Sequence, residues 1–197
     1  MNKQDYIDEI RKRLSERRFE HSMNVARAAV ELAEKYGADP RKAEIAGILH
    51  DITKEMPPAE QLQMLDGFGI ILDNVERHAH KLLHAISGAA VAKRMLDVSD
   101  QEILSAVRYH TTARAGMTRL EKVLYIADFI SDDRDYDGIE LMRSFAWKSL
   151  DLAMYEGLAF TIRDLVRQGN PVHADTVNAY NEIVLSGAAG KNPPVLA

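Results

Sequence analysis

Six side chains of the kinds that bind metals interrupt apolar stretches of this 197-residue sequence. They are His21, His50, Asp51, His84, His110 and Asp128. Burying an imidazole or a carboxylate costs several kcal/mol unless the group is paired or binds a metal. Each residue alone has an ordinary structural explanation, such as a hydrogen-bonded pair at a helix end or a histidine favoured by the helix dipole. Separate structural explanations for all of these segments at once are less plausible than one shared cause, so we predict a buried metal site.

The chemistry of this set is free of sulfur, because the sequence contains no cysteine. Imidazole and carboxylate ligands suit iron, manganese, cobalt, nickel or zinc, and iron is our first expectation. The set is too large for one closed zinc site, and it matches two ions bridged by one carboxylate, with positions left open for water and substrate. Neighbouring residues of a helix point about 100° apart, so His50 and Asp51 can bind one metal together, or Asp51 can bridge towards a second ion.

Composition argues against several classes of partner. The formal net charge is -5, whereas a nucleic-acid binder normally carries a basic surface, so we expect no nucleic-acid partner. A small anionic ligand remains compatible with this charge, because a metal centre supplies local positive charge. There is no apolar run of about 18 residues, and Met1 to Leu14 lack the apolar core of a secretory signal. We therefore expect a cytoplasmic protein that has no membrane partner.

Helical spacing of apolar residues dominates the chain, and no convincing strand pattern occurs. The spacing predicts one all-α domain over residues 1–186, a helical bundle with further helices at its C-terminal end, followed by a flexible tail over 187–197. A first helix carries Phe19 to Tyr36, and Gly37 is its expected stop.

The second predicted helix contains the adjacent histidine and aspartate. Asp39 is its expected N-cap and Pro40 its first residue. Its apolar positions extend to Ile52, so we expect it to include Ile52 and to end before Pro57 and Pro58. A less regular stretch should then follow, up to about Glu76.

The remaining helices are predicted from spacing and from caps. Ser99 with Glu102 and Thr118 with Glu121 form two capping-box patterns. An acidic loop is expected over residues 132–137. The predicted helical ranges are about 81–96, 99–109, 118–130, 138–147, 149–168 and 176–185.

The order of the six residues resembles the HD-domain superfamily of metal-dependent phosphohydrolases, whose pattern is a His, a later His-Asp pair and a distant Asp. His84 and His110 match branches of the superfamily that hold two metals. Longer strings resemble, more narrowly, the bacterial YqeK-type family of symmetrical bis(5'-nucleosyl)-tetraphosphatases, the diadenosine tetraphosphate hydrolases. The main strings are AGILHDITK at 46–54, YHTT at 109–112 and MTRLEK at 117–122.

This resemblance implies an HD-domain fold and hydrolysis of diadenosine tetraphosphate to two ADP. It implies two metal ions that share Asp51, and Asp51 and Lys54 are the expected catalytic residues. One ion would be held by His21, His50, Asp51 and Asp128, and the other by Asp51, His84 and His110. The expected substrate contacts are Lys54, Thr111, Arg134 and Arg18.

Three of the four expected substrate contacts also have a plain structural explanation. Lys54 is equally compatible with a solvated position at a helix end, and Thr111 with a helix cap. Arg134 lies among acidic residues and is compatible with a simple pair to Asp132 or Asp133.

The sequence departs from the family pattern at two loops. Residues 131–133 are Ser-Asp-Asp, where the family usually has an acidic residue and a proline before the arginine. Ala113 stands where a glycine is expected. We expect these changes to affect loop geometry and substrate fit more than metal binding.

Two other functions remain open. The same site could hydrolyse another nucleotide or phosphate ester, or the chain could be a non-catalytic metal-bound nucleotide sensor. A homodimer formed through an apolar helix face is also compatible with the pattern. Of the other histidines, His78 and His80 have polar flanks that predict exposure, and His173 is expected at the surface or as a minor contributor to a pocket.

Overall fold

The structure is a computed structural model that describes residues 1–188 and 190. Most of the tail expected over residues 187–197 lies outside this part of the chain. The described residues form α-helices and one short 3₁₀ helix, with no β-strand among them, which confirms the all-α prediction. None of the helices in this part of the chain has the length and apolar character needed to cross a membrane.

The helices follow one another with short connections. In chain order they are α1 (Lys3–Arg13), α2 (Glu16–Tyr36), α3 (Pro40–Leu49), α4 (Pro58–Gly67), α5 (Asn74–His78), α6 (Leu83–Met95), α7 (Gln101–Tyr109), α8 (Arg119–Ile130), α9 (Ile139–Lys148), α10 (Leu150–Arg167) and α11 (Ala174–Ser186). The 3₁₀ helix, His80–Leu82, directly precedes α6.

Three predicted helix ends are confirmed by their hydrogen bonds. Gly37 ends α2 in the left-handed conformation, with φ 71°. The Asp39 side chain caps the N-terminus of α3, and Pro40 takes the first position of that helix. Thr118 and Glu121 form the predicted capping box of α8.

The prediction that α3 includes Ile52 is wrong. The helix ends at Leu49, and residues 50–55 form successive turns. In one of them the Lys54 N–H donates to the Asp51 carbonyl at 2.8 Å. Ile52 is buried in these turns, and apolar spacing alone does not distinguish a buried turn from another turn of helix.

Two further expectations need correction. The stretch expected to be irregular contains α4, in which Pro58 takes the first helical position, and also the short α5. The cap of α7 is Asp100 rather than Ser99, and the Asp100 carboxylate accepts from the N–H groups of Glu102 and Ile103. Serine and aspartate are both good N-caps, so the residue types alone did not show which of these neighbours begins the helix.

Close packing of α2 on α3 sets the geometry of the bundle. A Cβ atom at Gly47 of α3 would lie 2.5 Å from the Cα of Ala26 in α2, so the two backbones are nearly in contact. Helix α8 packs against both of these helices, and α7 packs against α3, α6 and α8. The six ligand-type residues lie near the starts of α2 and α6 and at or near the C-terminal ends of α3, α7 and α8.

Candidate metal centre

All four predicted ligand histidines lie close together. The ring centroids of His21 and His50 are 5.4 Å apart, those of His50 and His110 are 5.1 Å apart, and those of His110 and His84 are 5.0 Å apart. Each histidine is at most 4% exposed, and so is the neighbouring Asp51. The sequence prediction that these residues form one buried cluster is consistent with this geometry.

The carboxylate of Asp51 stands at the centre of the cluster. Its Oδ1 lies 3.2 Å from His84 Nε2 and 3.8 Å from His110 Nε2. Its Oδ2 lies 3.6 Å from His50 Nε2 and 3.9 Å from His21 Nε2. The ligand-type atoms within each of these two groups are all within 4.8 Å of one another. The geometry therefore fits one ion on each side of Asp51.

Asp128 approaches the cluster from α8. Its Oδ1 lies 3.1 Å from His21 Nε2 and also accepts from an Nη atom of Arg134. The Arg134 Nε donates to the Asp128 backbone carbonyl at 2.7 Å. Arg134 is therefore anchored to Asp128 at the cluster, and the alternative that it pairs with Asp132 or Asp133 is wrong.

Several ligand-type atoms at the centre lack a hydrogen bond. Within the described residues, His21 Nε2, His50 Nε2 and Asp51 Oδ1 are buried and have no hydrogen-bond partner of suitable geometry. Such atoms are costly to bury because they lose their contacts with water. A metal cation would satisfy all of them, so this donor set fits a metal centre.

Two histidines are oriented by the helices that carry them. The Nδ1 of His50 lies 2.7 Å from the Gly47 carbonyl, and the Nδ1 of His110 lies 2.7 Å from the Val107 carbonyl. A carbonyl oxygen only accepts, so each Nδ1 carries the proton. The lone pair of each Nε2 is then directed at the cluster, as a metal ligand requires.

His21 is oriented by a residue that the sequence analysis missed as a site residue. Its Nδ1 lies 2.7 Å from Asp133 Oδ2, in the loop after α8. Asn24 donates to the other carboxylate oxygen of Asp133 at 3.1 Å. A carboxylate that accepts from a ligand histidine fixes the tautomer and raises the basicity of the ring. The available signal was that this loop departs from the family pattern.

Electrostatics favour the protonation states that a metal requires. Burial raises the pKa of the Asp51 carboxyl, but the surrounding histidines, His50 foremost, outweigh burial and hold this pKa well below its usual value. Burial lowers the pKa values of His50 and His84 to about 4. At neutral pH the carboxylate is thus ionised and these two imidazoles are neutral, which are the forms that bind metals.

The predicted substrate contacts lie around the cluster. Lys54 Nζ is 3.1 Å from His84 Nε2 and 3.5 Å from Asp51 Oδ1, so the side chain points to the cluster rather than to bulk solvent. Arg18 Nη1 lies 3.3 Å from Asp51 Oδ2. The hydroxyl of Thr111 is buried and has no hydrogen-bond partner in the described part of the chain.

A cavity of about 500 Å³ opens beside the His84 side of the cluster, and we call it the first cavity. Its volume lies in the range of small-molecule sites. Polar groups of Lys54, His110 and Thr111 line it near the cluster. The apolar part of its lining includes Leu82, Phe129, Leu165 and Pro171.

His78 and His80 are exposed, as predicted, and both contribute to the lining of the first cavity. His173 also lines it, but it is buried, so the alternative of a surface position is wrong. Its Nδ1 accepts from the Asp175 N–H at 3.1 Å, and the proton of the neutral ring is therefore on Nε2. That nitrogen lies 3.1 Å from Asp73 Oδ2. The same nitrogen lies 3.8 Å from Glu76 Oε1, and it has no hydrogen-bond partner of suitable geometry among the described residues.

Comparisons with known proteins agree with this geometry. The HD domain family model matches residues 18–132. A protein of Bacillus subtilis (strain 168) named symmetrical bis(5'-nucleosyl)-tetraphosphatase is 38% identical, over 93% of this chain and 98% of its own length. Proteins of the same name from Halalkalibacterium halodurans and Staphylococcus aureus are 33% and 34% identical, over 94% and 87% of this chain and 98% and 89% of their own lengths.

A solved structure has the same fold. It is the crystal structure of a protein from Clostridium acetobutylicum described as a predicted HD superfamily hydrolase involved in NAD metabolism. It superposes with a TM-score of 0.92 at 32% identity, over 94% of this chain and 98% of that one. With the family model matched and relatives aligned along nearly the whole chain, this protein belongs to the HD-domain family, among relatives named symmetrical bis(5'-nucleosyl)-tetraphosphatase.

Proposed function

We propose that this protein is a metal-dependent hydrolase that cleaves diadenosine tetraphosphate symmetrically to two ADP. The observation that carries the proposal is the buried His/Asp cluster, with unpaired ligand atoms, beside a cavity of nucleotide size. The substrate comes from the names of relatives that align with almost the whole chain.

In this proposal the ions share Asp51. His21, His50, Asp51 and Asp128 would hold one ion, and Asp51, His84 and His110 would hold the other. Iron is the first metal to test because the donors are sulfur-free, and manganese, cobalt, nickel and zinc are alternatives. When bound, the metals would supply an activated water and positive charge against the phosphoryl oxygens.

The protein's own residues would position the polyphosphate. Lys54 places its Nζ 3.5 Å from Asp51 Oδ1, so it can donate to a phosphate or to the leaving oxygen. Thr111 lines the first cavity, and its hydroxyl has no hydrogen-bond partner among the described residues. Arg18 and Arg134 place guanidinium groups at the opposite side of the cluster, and guanidinium binds phosphate with paired hydrogen bonds.

Product analysis tests this function. Metal-loaded protein is incubated with diadenosine tetraphosphate, the products are separated by chromatography, and the metal content is measured by elemental analysis. We expect ADP alone, and we expect Asp51→Asn to lower the rate by more than the ~10–100-fold cost of losing an outer-shell partner.

Other products would contradict the proposal in different ways. ATP plus AMP would exclude symmetrical cleavage. Turnover of nucleoside monophosphates with diadenosine tetraphosphate left intact would support another phosphate-ester substrate. Tight nucleotide binding by an inactive wild type would support a sensor.

The remaining proposals, on cellular location and partners, rest mainly on the composition of the sequence. We place the enzyme in the cytoplasm and expect no nucleic-acid partner, because the net charge is -5 and the sequence has no cysteine. A homodimer stays a prediction that sedimentation of the purified protein can test.

A further inference from the structure

A second cavity, of about 310 Å³, opens on the other side of the cluster. Its lining includes His21, Arg17, Arg18, Arg134 and Tyr136, and it shares none of its lining residues with the first cavity. The metal cluster therefore lies between two separate concave sites.

The two oxygens of Asp51 show which side faces which cavity. Oδ1 faces His84 and His110, and both of these histidines line the first cavity. Oδ2 faces His21 and Arg18, which line the second cavity, whereas Asp128, the other carboxylate beside His21, lines the first cavity. A phosphoanhydride bond placed at Asp51 would thus have one cavity on each side of it.

The two linings differ in chemistry. The first cavity combines Lys54 with apolar side chains such as Phe129 and Leu165, which suits a nucleoside with its phosphates. The second cavity presents three guanidinium groups and one phenol ring. Arginine is suited to phosphate because its planar fork forms paired hydrogen bonds.

The negative charges of the second cavity must be weighed against these arginines. Two carboxylates, Asp133 and Asp135, line it. Asp133 is already held by His21 and Asn24, and Arg134 is held by Asp128. Arg17 is exposed, so it can turn to a ligand without breaking a buried contact.

We propose that the second cavity binds the other nucleoside diphosphate half of the substrate, chiefly through its phosphates. This inference rests on the proposed function, because only a two-ended polyphosphate cleaved at its centre needs two such sites. It assigns Arg17 a role in substrate binding that metal binding does not require.

Charge reversal at Arg17 tests the inference. We expect Arg17→Glu to raise KM for diadenosine tetraphosphate about tenfold or more, as for loss of a charged hydrogen bond, with kcat changed by less than about twofold. The matched control is Arg41→Glu, the same change of charge at an exposed residue near the start of α3, at the end of the helix remote from His50. The control should leave both constants unchanged.

A binding measurement gives a second readout that does not depend on turnover. Equilibrium dialysis of ADP against the metal-loaded protein should show two ADP per chain for the wild type and for Arg41→Glu, and one for Arg17→Glu. One ADP per chain in the wild type, or an Arg17→Glu variant that matches its control in both measurements, would overturn the inference. Two bound ADP without cleavage of diadenosine tetraphosphate would retain the two sites and reject the proposed function.

Discussion

His50 and His110 are oriented by the helices that carry them, whereas His21 is oriented by a loop that follows α8. The carbonyls of Gly47 and Val107 lie three residues before their histidines, so each contact forms together with its own helix. The carboxylate of Asp133 is 112 residues away from His21 along the chain. The helical side of the cluster is therefore a product of local structure, and the loop side is a product of tertiary structure.

This difference separates two ways of damaging the site. On the helical side, only a shift of a whole helix displaces a ligand, because the orienting group is backbone. On the loop side, one side chain can be removed without disturbing any helix. The two sides should therefore respond differently in stability and in metal affinity.

The largest effect is expected from Gly47→Ala, which acts on the helical side. The added Cβ would lie 2.5 Å from Ala26 Cα and 2.9 Å from Ala26 N, so α2 and α3 must move apart. Overpacking of this kind costs about 1–3 kcal/mol in the free energy of unfolding. It also moves His21 relative to His50, and a displacement of about 1 Å can lower activity about a hundredfold. Urea unfolding measures the loss of stability, and the rate at which ADP forms from diadenosine tetraphosphate measures the loss of activity.

Gly67→Ala is the matched control for this substitution. Gly67 lies at the end of α4, and a Cβ there would have nothing within 4 Å among the described atoms. Alanine is a better helix former than glycine, so the control should be neutral or slightly stabilising. Equal stability and activity of the two variants would show that the close approach of α2 and α3 does not set the site.

An intermediate effect is expected on the loop side, from Asp133→Ala. Loss of an outer-shell partner of a ligand histidine typically costs about 10–100-fold in metal affinity. Asp133→Asn keeps an acceptor for His21 Nδ1 and removes the charge, so its affinity should fall between those of the wild type and the alanine variant. Competition with a chelator measures the affinity, and thermal unfolding of the metal-free protein should change little.

The matched control is Asp132→Ala. It removes a negative charge from the exposed residue directly before Asp133. We expect its metal affinity to equal that of the wild type. If both alanine variants weaken metal binding equally, the effect comes from the net charge of the loop and not from the contact with His21.

The contrast between local and tertiary orientation of the histidines also explains which site residues the sequence could predict. Most of the ligand-type residues were recognisable because polar groups in apolar helical stretches need a partner, whereas His21, between Glu20 and Ser22, was recognisable from its place in the His, His-Asp, Asp order. The departure of its loop from the family pattern was a signal for Asp133, but it does not indicate the role of this residue, because the contact with His21 depends on the tertiary fold.

The helix ends were likewise predictable where the signal is local, and not where it depends on tertiary packing. Gly37 and Asp39 predicted their helix ends correctly because the caps act locally. The early end of α3 was missed because Ile52 is buried in a turn as it would be in a helix. Ala113 has φ 56°, the left-handed region that favours glycine, which gives a physical reason for the glycine expected there.

The smallest effect on the cluster is expected from Glu121→Gln, at the opposite end of α8 from Asp128. Glu121 is fully buried and accepts from Arg114 at 2.7 and 2.9 Å and from Ser105 at 2.6 Å. Glutamine keeps one acceptor oxygen, which can hold the capping box with Thr118, but it places an NH2 group where the second oxygen accepted from Arg114 and Ser105. The variant therefore removes the charge of the pair together with the hydrogen bonds of one oxygen. We expect a loss of about 2 kcal/mol in the free energy of unfolding at pH 7, with metal affinity unchanged.

The pH dependence of that loss identifies the ion pair as its cause. Burial raises the pKa of Glu121, but Arg114 and the other donors outweigh burial and lower it in the folded protein. A lowered folded pKa stabilises the protein above the ordinary pKa of a glutamate, about 4.5, and this contribution is lost as the pH falls through the folded value. Urea unfolding of the wild type and of Glu121→Gln between pH 7 and pH 3 should therefore show that the difference in their free energies of unfolding becomes smaller as the pH falls. A difference independent of pH would assign the loss to packing, and a parallel loss of metal affinity would mean that the far end of α8 helps to position Asp128.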